Sequence, residues 1–153
     1  MLPYVDTANL FLYGESRGGM MTFLAIKAGY PARAAATFGA FTDLEALMEA
    51  APERYAPLVR LIWPDYAQRR REILTSRSAI QWPDALSVPL LLMHGGADRD
   101  VDPGQTLALA TALQRLGRRY ELVIFGGDSH VLPNHRCERD AHAAAWFRAY
   151  LAR

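Results

Sequence analysis

Four short apolar runs, each followed by a glycine-marked break and then a stretch with helical patterning, most constrain the fold of this chain. They are Asn9 to Tyr13, Arg33 to Ala40, Val88 to Met93 and Tyr120 to Phe125. Apolar runs of this length bounded by turn residues read as buried strands. The stretches between them read as helices: Gly18 to Ala28 closed by Gly29 and Pro31, Asp43 to Ala50 with Asp43 as N-cap, Gln105 to Leu116 closed by Gly117, and Glu138 to Leu151. The first is apolar nearly all round and is expected to be buried on more than one side. Strands alternating with helices favour an α/β fold, a mostly parallel sheet of about four strands with helices on both faces.

Residues 52–84 break the alternation. Pro52, Pro57, Pro64 and Pro83 interrupt short helical pieces carrying Tyr55, Trp63, Tyr66 and Trp82, a pattern expected of a cap-like excursion. The whole of 1–153 is expected to be one domain, since that length is ordinary for a single core.

Chemistry enters at Gly14-Glu15-Ser16-Arg17-Gly18, between the first strand and the first helix. A Gly-x-Ser-x-Gly turn in that position projects the seryl oxygen outward, while the N–H of Arg17, at the helix N-terminus, points toward a developing oxyanion. The glycines are expected to permit a close approach of the backbone to itself. A neutral hydroxyl is a weak nucleophile, so the reading needs a base and a group that orients it. His94-Gly95-Gly96-Ala97-Asp98 follows the third strand and Gly126-Gly127-Asp128-Ser129-His130 the fourth. The ends of parallel strands are where such sheets collect functional groups. Ser16, Asp98 and His130 are therefore the candidate nucleophile, acid and base. Asp100 is the alternative acid, and Asp102 before Pro103 reads as a helix N-cap. His94 reads as a structural histidine, and His135 and His142 as residues near or on the last helix. Cys137 reads as a packed helical thiol.

These residues carry a resemblance. The chain resembles the C-terminal part of the catalytic domain of prolyl oligopeptidase-type serine peptidases, in the α/β-hydrolase superfamily, over nearly its whole length. The carriers are Gly14 to Gly19, Glu53-Arg54-Tyr55, Ser76-Arg77-Ser78, Pro89 to Gly95, Asp98, Val101 and Asp128-Ser129-His130. In that family the acid follows the strand-ending histidine by four residues and the catalytic histidine follows the acid by about thirty, spacings that Asp98 and His130 match. The resemblance implies a partial α/β-hydrolase fold and hydrolysis of peptide or ester bonds through an acyl-serine intermediate. It also implies that Phe41, Leu44 and Leu47 line an apolar side-chain pocket. Family members have several strands ahead of the elbow strand, and those strands contribute the second oxyanion donor. A truncated fold is thus expected, with a noncatalytic fragment or assembly module that keeps the triad as the alternative function.

Composition bounds the partners. A formal net charge of +1, with 51% hydrophobic and 22% charged residues, argues against nucleic acid, and Arg69 to Arg71 read as a solvated helix face. One cysteine excludes an internal disulfide, and neither a CxxC motif nor a histidine set with zinc spacing appears, so no metal or cofactor is expected. Met1 to Asp6 lack the basic start and apolar stretch of a signal peptide, and no run is long enough to span a bilayer, so a cytoplasmic location is expected. The strand Asn9 to Tyr13 is expected to be an apolar edge covered in a homodimer.

Overall fold

The computed structural model describes residues 6–152. The expectation for the first five residues lies outside that range. Four strands, β1 (Phe11–Glu15), β2 (Ala34–Phe38), β3 (Leu90–Gly95) and β4 (Tyr120–Phe125), form one sheet in the order β1-β2-β3-β4. All three pairings are parallel. Every residue of β2 and β3 is buried, as a central parallel strand covered on both faces must be.

The period of two assigns each face its packing partners. Leu90 and Leu92 of β3 join Ala35 against α1 (Arg17–Lys27) and α5 (Pro103–Arg115), through Phe23, Ile26, Leu109 and Leu113. Leu91 and Met93 point the other way with Ala36 and Phe38, toward Ala143, Trp146 and Phe147 of α6 (Arg136–Ala149). Alanines at 34, 35 and 36 leave room for helices to approach from both sides. Helix α1 buries two sides, Phe23 and Ile26 in one cluster and Met20 in another, while Met21 faces solvent.

The third cluster lies beyond the sheet's C-terminal edge. Phe41, Leu44 and Leu47, from the β2 exit and α2 (Leu44–Ala50), pack with Met20, Ile73, Leu74 and Val101. Asp43 caps α2 as expected, accepting the N–H groups of Glu45 at 3.0 Å and Ala46 at 3.2 Å. The excursion 52–84 consists of α3 (Pro52–Ile62), α4 (Tyr66–Arg77) and two short 3₁₀ turns. Pro57 lies inside α3 without ending it, contrary to its expected role. It removes one intrahelical donor, but Tyr55, Val59 and Ile62 still face a common apolar cavity. Arg69 to Arg71 are exposed on α4, with Arg69 paired to Asp65 and Glu72 and Arg70 to Glu45.

Two further expectations need correction. Cys137 is exposed in the first turn of α6, because the buried stripe of that helix runs through Ala143, with Trp146 and Phe147 beside it. The glycine that allows close packing beside Gly14 is Gly19, not Gly18. A Cβ on Gly14 would lie 2.4 Å from the Gly18 carbonyl oxygen and a Cβ on Gly19 2.3 Å from the Ala40 Cβ, whereas one on Gly18 meets nothing within 4 Å.

Candidate active site

Each strand delivers one segment of the site at the sheet's C-terminal edge. β1 ends at Glu15, and Ser16 follows with φ 50° and ψ −116°, a left-handed backbone that L-residues avoid and that costs of order 1–3 kcal/mol. The turn is held by Ser16 N–H donating to the Phe38 carbonyl at 2.9 Å, and by Gly19 N–H donating back to the Ser16 carbonyl at 3.0 Å. The N–H of Arg17 opens α1 and has no acceptor among the described residues, as befits a first-turn donor.

The loops after β3 and β4 are tied to each other. Gly96 N–H donates to the Phe125 carbonyl and Ala97 N–H to the Asp128 carbonyl, both at 2.8 Å. This tie brings Asp98 under His130. His130 Nδ1 donates to Asp98 Oδ2 at 2.7 Å, and His130 Nε2 accepts from Ser16 Oγ at 3.0 Å. The tautomer follows from the partners: the nitrogen facing a carboxylate carries the proton, leaving the other free to accept. The structure thus brings together the three residues singled out in the sequence, 114 and 32 residues apart along the chain. Asp100 points to the rim, paired with Arg54, and Asp102 caps α5 through Gly104 N–H at 2.8 Å.

Asp98 is buried, and burial alone would raise its carboxyl. Donors outweigh that effect: His130, His94 and the N–H groups of Val101 and Asp100 hold it well below the usual carboxylate range. His130 moves the other way. Its bond to Asp98 raises it above the usual histidine value against the opposing effect of its own burial, and the charges of Asp98, Asp100 and Glu15 add to the rise.

Beside Ser16 and His130 lies a cavity of about 210 Å³. Phe41, Leu44 and Leu47 line it, together with Tyr55, Val59 and Trp63. The wall from α3 lies outside the pocket residues that the resemblance implies, although Tyr55, Leu58, Val59 and Ile62 follow the i, i+3, i+4, i+7 spacing of a common face. His94 is buried and hydrogen-bonded, as expected of a structural histidine at a strand end. Its place behind Asp98 is new, and its signal is the four-residue step from strand end to acid.

The arrangement can pass a hydroxyl proton to an imidazole whose resulting charge a buried carboxylate offsets, next to a space for an apolar group. Asp98, Asp100 and His130 also place one ligand atom each within 4.8 Å of one another. Asp98 already accepts four hydrogen bonds, which leaves it engaged by protein donors.

The sequence profile of the prolyl oligopeptidase family matches residues 1–153. Among curated proteins, an uncharacterized peptidase, YuxL, of Bacillus subtilis (strain 168) is 27% identical over 97% of this chain and 23% of its own length. A probable dipeptidyl-aminopeptidase B of Arthroderma otae (strain ATCC MYA-4605 / CBS 113480) is 27% identical over 92% of this chain and 15% of its own. The solved structure of a Mycobacterium tuberculosis puromycin-hydrolyzing peptidase superimposes with a TM-score of 0.79 at 26% identity, covering 97% of this chain and 23% of that one. An acylaminoacyl peptidase in complex with Z-Gly-Gly-Phe-chloromethyl ketone shares the fold at a TM-score of 0.80 and 21% identity, over 98% of this chain and 25% of that one. The chain therefore spans less than a quarter of the length of the curated relatives it matches.

Proposed function

Since the chain belongs to the prolyl oligopeptidase family of peptidases, we propose that it hydrolyses peptide or ester bonds through an acyl intermediate on Ser16. His130 takes the Ser16 proton as general base and returns it to the leaving group. Asp98 holds the imidazole in its tautomer and offsets the charge it acquires. The Arg17 N–H supplies one donor to the oxyanion, and the cavity lined by Phe41, Leu44 and Leu47 receives an apolar side chain or acyl group.

The observation that carries this reading is the 3.0 Å contact between Ser16 Oγ and a His130 ring already bonded to Asp98. Short-chain nitrophenyl esters and aminoacyl nitroanilides, compared on the wild-type chain and on Ser16→Ala, test it. Turnover that Ser16→Ala abolishes supports the reading, and turnover that survives the substitution removes it. The ratio of the two substrate classes decides between esterase and peptidase.

The alternative is a noncatalytic module that keeps the three residues. It is favoured by the one oxyanion donor, the Arg17 N–H, that the Ser16 turn supplies among the described residues, since a site with one donor fewer is slower by about 10²- to 10³-fold. For assembly, the reading is a homodimer. The outer edge of β1 has no strand partner among the described residues, and Tyr13 and Met21 near it are exposed. Sedimentation at micromolar concentration that gives a stable, non-aggregating monomer would exclude it. No helix among the described residues is long and apolar enough to cross a membrane. A cytoplasmic setting is the reading that the single thiol supports.

A further inference from the structure

The loop that carries His130 is held against its own backbone preference. Val131 and Leu132, the two residues after it, have φ of 61° and 58°. A β-branched residue is a rare occupant of that region. Something must fix the segment, and three contacts do. The Leu132 side chain is fully buried with Phe38, Met93 and Phe125. Arg139 Nη1 donates to the Val131 carbonyl at 3.0 Å. The third contact is a carboxylate, and it spans the loop.

Asp128 is 1% exposed. Its Oδ1 accepts Ser129 N–H at 2.9 Å and Asn134 Nδ2 at 3.0 Å, and its Oδ2 accepts Asn134 N–H at 3.2 Å and His135 Nδ1 at 2.7 Å. One side chain therefore joins the residue that enters the loop to the two that leave it. The Asp128 carbonyl also receives the N–H of Ala97, beside Asp98, so the same residue sets the His130 loop against the loop of its acid. His135 in turn lies against the Phe125 ring, with centroids 5.0 Å apart, at the end of β4.

We propose that Asp128, with His135 bound to it, is a positioning residue for the hydrolysis: it fixes the loop so that His130 reaches Ser16 and Asp98 at the same time. This rests on the reading of those three residues given above. All the groups around the Asp128 carboxylate present hydrogens to it, so an asparagine in its place must turn its NH₂ toward at least one backbone N–H, whichever way it is oriented. The loop then loses its tie between entry and exit, while the apolar walls of the cavity, Phe41 with the residues of α2 and α3, lie outside the loop and are untouched.

The test uses the full chain with Asp128→Asn, His135→Ala and His135→Asn, the last retaining an amide donor near the position of Nδ1. For a nitrophenyl ester, kcat is expected to fall about 10- to 100-fold in the first two, with KM within about twofold, because a small misplacement of a base is costly while binding is unaffected. His135→Asn should recover most of the loss. In proton spectra, the far-downfield resonance of His130 Nδ1–H bonded to Asp98 should be present in the wild type and His135→Asn and broadened away in the other two. Folded Asp128→Asn and His135→Ala proteins with wild-type kcat and an unchanged downfield proton overturn the proposal. Should Asp128→Asn fail to fold, the half-buried His135→Ala carries the test alone. A wild type that turns over nothing, while its downfield proton responds to the substitutions as described, places the fault in the hydrolase reading and leaves the positioning intact.

Discussion

His94 donates its Nε2 hydrogen to Asp98 Oδ2 at 3.0 Å, the same oxygen that holds His130 Nδ1 at 2.7 Å. His94 is fully buried. Its Nε2 also faces the Val101 carbonyl at 3.1 Å, so that nitrogen carries the hydrogen, and Nδ1 is left to accept from Thr106 Oγ1 at 2.6 Å. The other Asp98 oxygen takes two backbone N–H groups. A buried carboxylate with this many donors stays ionised and does not rotate, the two properties an orienting acid needs.

Replacing His94 by leucine removes one donor from Asp98 and leaves Thr106 and the Val101 carbonyl short of a partner. Stability at neutral pH should fall by about 1–3 kcal/mol, read from urea midpoints at constant slope. The sign with pH follows from the depressed carboxyl. Asp98 contributes stability above its unfolded pKa and loses it as pH falls through the lower folded value. Without His94 the folded pKa rises toward the unfolded one, so less of the stability lost on acidification should belong to this group. Equal acid sensitivity in the two proteins would contradict the role given to His94.

Activity should rise with pH along a limb that lies above the ordinary histidine value, because His130 must be neutral to accept the Ser16 proton and its bond to Asp98 favours the charged form. Asp100→Asn removes one of the neighbouring negative charges and should move the limb of kcat/KM to lower pH. A limb that stays put or moves upward would exclude Asp100 from the field at His130. The same linkage gives His130 a stabilising contribution that is full below its unfolded pKa and disappears as pH rises through the folded value.

Asp98→Asn should keep the fold and reduce kcat by about 10³- to 10⁴-fold, since the amide can hold the imidazole in the wrong tautomer and cannot offset its charge. Steady-state kinetics at the wild-type optimum check this, and a loss under tenfold would argue that another carboxylate orients His130.

The glycines of the Ser16 turn make unequal demands. Gly14→Ala and Gly19→Ala place a Cβ 2.4 and 2.3 Å from fixed neighbours, and each should destabilise by about 1–3 kcal/mol. Gly18→Ala enters open space inside α1 and should be neutral or stabilising by up to about 1 kcal/mol. Thermal melts of the three variants separate them, and a Gly18→Ala as unstable as Gly14→Ala would contradict the packing.

Strand-to-helix order was legible because parallel strands packed under helices are largely apolar runs, and even the edge strand β4, buried only at Phe125, stands at the expected span, Tyr120–Phe125. β1 starts two residues later than its apolar run, at Phe11, and extends through Gly14 and Glu15 into the turn, because register with β2 rather than hydrophobicity sets where pairing stops. Chain order, with the spacing that the family resemblance implies, points to Ser16, Asp98 and His130, and His130 contacts both of the others. Their supports were not legible. The link from Asp128 to His135 and from His94 to Thr106 are side-chain bonds that no hydrophobic period encodes. Cys137 departs from its expected burial for a related reason: it sits among Arg136, Glu138, Arg139 and Asp140 in the charged start of α6, and the buried part of the helix begins only near Ala143.

The proposed hydrolysis stands or falls on Ser16 being a nucleophile activated by His130. Incubation with a fluorophosphonate probe, followed by intact-mass and peptide mapping, tests it most directly. A single covalent adduct is expected, mapped to Ser16, formed at a rate that rises with pH through the His130 pKa and absent in His130→Ala. No adduct on the folded wild-type chain, under conditions where an ordinary serine hydrolase reacts to completion, would contradict it.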